Sequence, residues 1–115
     1  MALQNWKTQI RKGLLDLCVL NFLRAREYYG YDLVQDIKQI DGLQMREGNV
    51  YPILARLEED ALVESKVRAS TAGPPRKYFR LTPAGRKAIA EMNLHWNQMT
   101  QAVDAARAFP HGGVK

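Results

Sequence analysis

Hydrophobic residues recur at helical spacing along the first part of the chain. Trp6, Ile10 and Leu14 are four positions apart, which predicts a helix over roughly residues 5–26. Between Leu14 and Leu23 this helix is apolar on nearly all sides. A helix that is apolar on more than one face must be covered on more than one side, so we expect a second subunit to cover part of it.

A second amphipathic helix is predicted over residues 31–40. Tyr29-Gly30-Tyr31 should break the first helix, and Asp41-Gly42 should end the second. Its inward face is expected to consist of four aliphatic residues, Leu33, Val34, Ile37 and Ile40.

A third helix is predicted to begin near residues 47–49. Proline has no N–H and is tolerated in the first helical turn, so we expect Pro52 at the edge of that turn. Apolar spacing turns four residues of this helix inward, which are Val50, Ile53, Leu54 and Leu57. Asn49, Tyr51 and Arg56 are then left toward solvent.

A hairpin is predicted after the third helix. The segment LVESKVR alternates, with Val63 and Val67 on one face, and KYFRL returns after a loop that contains Gly73, Pro74 and Pro75. Thr82-Pro83 then begins the last helix, because threonine can cap a helix and proline suits its first position.

The last helix, predicted over residues 83–109, carries a heptad seam. Its apolar residues are three and four positions apart, as in helices that pair with a partner helix: Ile89, Met92, Trp96, Met99, Val103 and Ala106. We therefore predict dimerisation through this seam together with Ile10 and Leu14. The chain would comprise a domain over residues 1–82, a dimerisation helix over 83–109 and a disordered tail over 110–115.

Positive charge is concentrated on the hairpin and its flanks. Residues 61–87 hold seven Lys/Arg and one acid, whereas residues 13–60 hold five bases and nine acids. Charge segregated in this way indicates a basic face presented to a polyanion. An ordinary solvated surface is the alternative.

The residues for catalysis, metal binding or cofactor binding are not grouped in this chain. Two distant histidines and one cysteine cannot supply a metal site, and neither a phosphate-binding glycine loop nor a catalytic triad is present. We expect no enzyme activity, cofactor or metal. Cys18 is predicted to be a buried structural thiol. Without a secretion signal or an apolar run of membrane-spanning length, the protein is expected in the cytoplasm.

Three segments together resemble the PadR family of bacterial transcriptional regulators, over roughly residues 10–107. GYDLVQDI is similar to the family's second helix, EGNVYPILARLEEDALV to its recognition helix, and GPPRKYFRLTPAGR to its wing and the start of its last helix. The single C-terminal helix resembles the shorter branch of the family. Ala61 stands where the family usually has the glycine that ends the recognition helix.

The resemblance implies a mainly α fold with a small β-hairpin wing (α+β), a winged helix-turn-helix with N-terminal and C-terminal dimerisation helices. It also implies a homodimer that binds a pseudo-palindromic double-stranded DNA operator as a repressor. Such a dimer places two recognition helices about 34 Å apart, each entering the major groove by its N-terminal end.

The residues predicted to contact DNA lie on the third helix, the second helix and the wing. They are Arg46, Glu47, Gly48, Asn49, Tyr51, Tyr31, Lys66, Arg68, Arg76 and Lys77. Arg46 could read guanine and Asn49 adenine, and the wing residues should bind phosphates or minor-groove edges. Tyr51 and Tyr31 could instead pack within the domain.

A small aromatic or cationic effector could bind at Trp96, since some family members stack planar ligands on a tryptophan of this helix. Met92 and Met99 flank Trp96, while Trp6 and Phe22 could join from the first helix. The alternative is that Trp96 is a core residue of the seam. Two other functions stay open: a winged helix for protein–protein contact, and a ligand-sequestering dimer whose DNA binding is secondary.

Overall fold

Four helices and a three-stranded antiparallel sheet make up the fold in the computed structural model, which describes residues 1–112. The elements in chain order are α1 (Ala2–Ala25), β1 (Tyr28–Tyr29), α2 (Gly30–Ile37), α3 (Glu47–Glu59), β2 (Val63–Arg68), β3 (Arg76–Leu81) and α4 (Pro83–Arg107). This order confirms the predicted mainly helical fold with a hairpin. Among the described residues, no helix is long and apolar enough to cross a membrane.

The sheet contains one strand that the sequence pattern did not reveal. The hairpin strands β2 and β3 pair from Val63↔Leu81 to Arg68↔Arg76, and β1 adds to the other edge of β3. The segment around Tyr29, predicted only to break a helix, is therefore also a strand. It ties the start of α2 to the wing.

The predicted end of the second helix and the predicted position of Pro52 in the third helix need correction. The second helix ends at Ile37, because Gln39 and Ile40 donate to carbonyls only three residues back and so tighten the last turn. Ile40 is consequently 42% exposed instead of buried. The third helix begins at Glu47, so Pro52 is its sixth residue and lies inside the helix, past the first turn.

One core unites the sheet with all four helices. It contains the predicted inward residues of α3, namely Val50, Ile53, Leu54 and Leu57, which are all buried. Val67 faces the same side of the hairpin as Val63 but is 63% exposed, because the wing extends past the helices. Ile89 of α4 also belongs to this core, so the first turns of α4 pack with the domain.

The end of α3 is a left-handed turn made by a residue that is not glycine. Ala61 has a φ of 62°, its N–H donates to the carbonyl of Glu58, and the N–H of Leu62 donates to the carbonyl of Leu57. These two bonds form a Schellman motif, whose left-handed position glycine normally fills. The substitution of Ala61 for the usual glycine, apparent in the sequence, therefore places strain at this turn.

Substitution of Ala61 by glycine should raise the stability of the fold. An alanine Cβ in the left-handed region costs about 1–2 kcal/mol, and glycine loses about 0.4–1 kcal/mol through its freer unfolded chain. The expected net gain is about 0.5–1 kcal/mol, measured as a higher denaturant midpoint with an unchanged m-value. A lower midpoint for Ala61→Gly would contradict this prediction.

The start of α4 is fixed to this same turn. Oγ1 of Thr82 accepts from the N–H of Gly85 at 3.0 Å and donates to the carbonyl of Ala61 at 2.6 Å. The N–H of Thr82 donates to the carbonyl of Leu62 at 3.1 Å. The predicted cap at Thr82-Pro83 is confirmed, and it also joins α4 to the end of α3.

The last described residues fall outside the regular elements. Residues 110–112 form neither helix nor strand. The predicted disordered tail otherwise lies outside the described residues, since residues 113–115 are not among them.

Candidate nucleic-acid interface

The N-terminal end of α3 is accessible. Arg46 is the N-cap residue, with an extended backbone and no capping bond from its side chain; Arg46, Glu47 and Gly48 are exposed, and Asn49 is half-buried. The buried face of α3 points the other way, because its apolar residues pack on α1 and α2. The structure thus brings these four nominated residues together at one accessible helix end.

Arg11 of α1 holds the loop that leads into α3. Its guanidinium donates to the carbonyl of Leu43 at 2.8 Å and to Oε1 of Gln44 at 3.1 Å. Gln44 has a φ of 55°, so this loop includes a left-handed residue. This positioning role of Arg11 was not predicted from the sequence, because its partners lie more than thirty positions away along the chain.

Tyr51 lies at the junction of α3 with α2 and is both packed and accessible. A Cβ on Gly30 would meet Cε1 of Tyr51 at 3.1 Å, so the absence of a side chain at Gly30 makes room for this ring. Tyr51 nevertheless remains 41% exposed. The pKa of the Tyr51 phenol is raised, first by burial and then by the nearby charges of Glu47 and Tyr29. The phenol therefore stays a neutral hydrogen-bond donor at neutral pH.

The four basic wing residues divide between the two faces of the hairpin. The pairing Arg68↔Arg76 and Lys66↔Tyr78 places Lys66, Arg68 and Arg76 on one face, while Lys77 alternates to the other. The guanidinium of Arg76 stacks 4.6 Å from the ring centre of Tyr29, and that of Arg68 stacks 4.7 Å from the ring centre of Tyr78.

Acidic neighbours reduce the free charge of the wing. Arg68 forms an ion pair with Glu27 at 2.7 Å, and Arg80 forms one with Glu64 at 2.6 Å. Within residues 1–112, Lys66 and Arg76 are in no ion pair. The number of basic residues in the sequence therefore overestimates the positive charge on this surface that is free to bind a polyanion.

An aromatic cleft of about 280 Å³ lies between the wing and α3. Tyr31, Tyr51 and Lys77 line it together with Tyr29 and Phe79. Tyr31 is exposed, with its ring 6.2 Å from that of Tyr29. Glu58 also lines this cleft, which runs along the middle of α3. Its phenolic groups and Lys77 are suited to phosphate contacts.

The residues nominated for an effector site are only partly together in one subunit. Trp96 and Met92 line an open groove with Leu17 on α1. Phe22 lines a separate groove with Cys18 and packs edge-to-face on Tyr28. Trp6 and Met99 are exposed and line neither groove.

The residues nominated for dimerisation also differ in accessibility. Trp96, Met99 and Val103 are exposed on the C-terminal half of α4, and Ile10 is exposed on α1. Leu14 and Met92 are partly buried against the core. Ile89 is only 1% exposed within its own subunit, so its inclusion in a dimer seam was wrong. The first turns of α4 pack on the core, and this packing already covers that position.

Groups suited to metal binding or nucleophilic chemistry are sparse. Within residues 1–112, no three His, Cys, Asp or Glu side chains are grouped as metal ligands. Cys18 is half-buried, less than expected, and burial raises the pKa of its thiol, which disfavours the reactive thiolate.

Comparison with known proteins gives consistent matches. Residues 19–91 match the model of the PadR-like family of transcriptional regulators. The transcriptional regulator Rv3488 of Mycobacterium tuberculosis is 34% identical over 83 residues, covering 72% of this chain and 76% of its own. An uncharacterized protein of Lysinibacillus sphaericus is 27% identical over 100 residues, covering 85% and 92%.

Solved structures agree with this assignment. A PadR-like transcription factor from Bacteroides fragilis is 36% identical with a TM-score of 0.75, covering 89% of this chain and 98% of its own. A PadR-like regulator from Bacillus cereus is 32% identical with a TM-score of 0.75, covering 85% and 95%. The chain therefore belongs to the PadR-like family of transcriptional regulators, and is a winged-helix DNA-binding regulator and not an enzyme.

Proposed function

We propose that this regulator is a cytoplasmic homodimeric repressor that reads a pseudo-palindromic operator through the exposed N-terminal end of α3. The observation that carries the proposal is the accessible N-terminal end of α3, where residues 46–49 offer side chains with base-reading chemistry. The wing of the same domain carries Lys66 and Arg76, which form no ion pair within residues 1–112 and can anchor phosphates.

Dimerisation is supported by the apolar residues that one subunit leaves in water. Trp96, Met99 and Val103 repeat along the exposed half of α4, at the heptad spacing that pairs helices. Exposed apolar patches of this kind usually mark contact surfaces. A two-fold dimer would present two copies of α3 to successive turns of the duplex.

DNA from upstream of the protein's own gene provides the first test. We expect binding at least about 10³-fold tighter than to random DNA of equal length, and a reporter driven by that DNA should be repressed. Arg46→Ala should weaken specific binding by about 10- to 100-fold while changing random-DNA binding less. Arg107→Ala is the matched control, because Arg107 pairs with Asp104 at the far end of α4.

Equal affinity for upstream and random DNA would remove the specific-repressor proposal. The strength of DNA binding then distinguishes the two remaining functions. A winged helix used for protein contact would bind neither the upstream nor the random DNA. A ligand-sequestering dimer would bind both weakly, and substitutions in α3 would not change expression of the reporter.

We further propose that a small planar aromatic or cationic molecule binds against Trp96 and weakens operator binding. Trp96 is 38% exposed beside Met92 in a groove of about 400 Å³, and adaptable methionines suit such ligands. In a Trp6→Phe background, a planar cationic dye should quench the remaining Trp96 fluorescence saturably. Dye binding that is undiminished in Trp96→Ala would place the site elsewhere.

A further inference from the structure

An arginine of the wing is stacked on a tyrosine of β1. Tyr29 pairs with Tyr78 in the sheet, and Arg76 precedes Tyr78 by two residues on β3. Tyr29 and Arg76 are therefore diagonal neighbours on one face, within reach of an aromatic ring and a long side chain. The guanidinium carbon of Arg76 lies 4.6 Å from the ring centre of Tyr29, which is a cation–π contact.

The strand pairing fixes the backbone of Arg76 but not its guanidinium. Arg76 stands directly opposite Arg68 in the hairpin, an unfavourable pairing of like charges. Each of the two arginines is stacked on a different ring, and Arg68, on Tyr78, also has the carboxylate of Glu27 as a partner. Within residues 1–112 the guanidinium of Arg76 forms neither a hydrogen bond nor an ion pair, so the ring of Tyr29 is what holds it.

This stacking leaves the hydrogen-bonding edge of Arg76 free. A guanidinium stacks through its flat face, whereas its N–H groups point outward in the plane of the group. Those donors can bind two phosphate oxygens at once, and Arg76 is exposed to solvent on the wing. A long side chain that is not held in advance loses affinity because it must be immobilised on binding. The ring of Tyr29 reduces this loss.

We propose that Tyr29 is a positioning residue for DNA binding, which holds the guanidinium of Arg76 in the orientation that binds a phosphate. The proposal rests on the phosphate anchoring by the wing proposed above. Tyr29 belongs to β1, which is part of neither α3 nor the hairpin, so a third element of the domain contributes to DNA binding. The aromatic ring is the group required, and its hydroxyl is not.

A double-mutant cycle that combines Tyr29→Leu with Arg76→Gln tests this role. Affinity is measured on a random DNA duplex long enough for both subunits, since a phosphate contact does not depend on base sequence. Tyr29→Leu should weaken binding by about 10-fold, because each of the two subunits loses about 3-fold when its arginine is not held in advance. Tyr29→Phe keeps the ring and should bind within about 2-fold of the natural protein.

The Arg76→Gln background separates positioning from a merely structural role of Tyr29. In that background Tyr29→Leu should weaken binding by less than about 2-fold, because no guanidinium remains to be held. Tyr78→Leu is the matched control, since it removes the neighbouring ring, which carries Arg68, and its effect should be equal in both backgrounds. The proposal is overturned if Tyr29→Leu keeps full affinity, if it loses the same factor in both backgrounds, or if Tyr29→Phe is as weak as Tyr29→Leu.

The natural protein offers a measurement that does not require any variant to fold. In its NMR spectrum the ring current of Tyr29 should move the side-chain proton signals of Arg76 upfield of those of Arg86, an exposed arginine of α4. This shift should persist when the random duplex is added. Signals of Arg76 that match those of Arg86, or a shift that disappears on the duplex, would overturn the proposal.

Failure of the proposed repressor function is a separate result. It would appear as equal affinity of the natural protein for upstream and random DNA. The role of Tyr29 is measured on random DNA alone, so that outcome leaves the double-mutant cycle fully informative.

Discussion

Substitution of Gly85 by alanine should destabilise the protein by about 3 kcal/mol, the upper part of the range for overpacking a tight contact. A Cβ at this position would lie 2.9 Å from the carbonyl carbon of Leu62 and closer still to its oxygen. These are backbone atoms at the start of the wing, so no side-chain rotation can relieve the clash. The start of α4 or the wing must move, and the cap on Thr82 would loosen with it.

Thermal or denaturant unfolding measures this effect directly. Gly13→Ala is the control, because Gly13 lies in α1 with nothing within 4 Å of an added Cβ. In that open position alanine should stabilise the helix by about 0.5–1 kcal/mol. The same chemical change is therefore expected to have opposite signs at the two sites. A Gly85→Ala protein as stable as the parent would show that α4 and the wing do not depend on this close approach.

Operator affinity should fall by about 10³-fold between 50 and 200 mM monovalent salt. Lys66, Arg76 and Lys77 are the wing cations of each subunit that form no ion pair among the described residues and can meet phosphates. If each neutralises one phosphate, the proposed dimer neutralises about six, and the log–log slope is about −5 because each phosphate adds about −0.9. Arg68 is left out of this sum because Glu27 already partners it.

Individual substitutions should change this slope in proportion to the number of phosphates that are no longer neutralised. Lys77→Gln removes one phosphate-binding cation from each subunit, so the slope for the dimer should become less negative by about 2. Arg107→Gln, whose arginine pairs with Asp104 far from the wing, should leave the slope unchanged. A slope near zero for the parent protein would show that phosphates do not dominate its binding.

Periodic apolar spacing was enough to predict most of the secondary structure. The inward face of α3, the hairpin strands and the Thr82 cap follow from local pattern and local chemistry, because each is decided by residues a few positions apart. The motifs around Tyr31, Asn49 and Arg76 also indicated the family. The left-handed turn at Ala61 could be predicted because its position relative to the helix end is local as well.

Features that depend on distant partners could not be predicted in this way. The strand β1 exists because Tyr28 and Tyr29 meet β3 about fifty residues later. Ile89 continues the heptad pattern, yet its own domain buries it, and a pattern cannot say which neighbour covers an apolar face. The bonds of Arg11 and the Arg68–Glu27 ion pair are likewise products of tertiary packing. Counting charged residues in the sequence therefore overestimated the positive charge that is free on the wing.

The joint at Thr82 has a mechanical consequence. Its bonds to Ala61 and Leu62 connect α4 to the end of α3 and to the start of the wing with no intervening loop. α4 has 25 residues and is therefore about 37 Å long. A rotation of about 5° at the joint moves the far end by about 3 Å, close to the rise of one base pair. In the proposed dimer, small angular changes between the subunits would thus reach the DNA-facing surface, because no flexible segment lies between α4 and that surface.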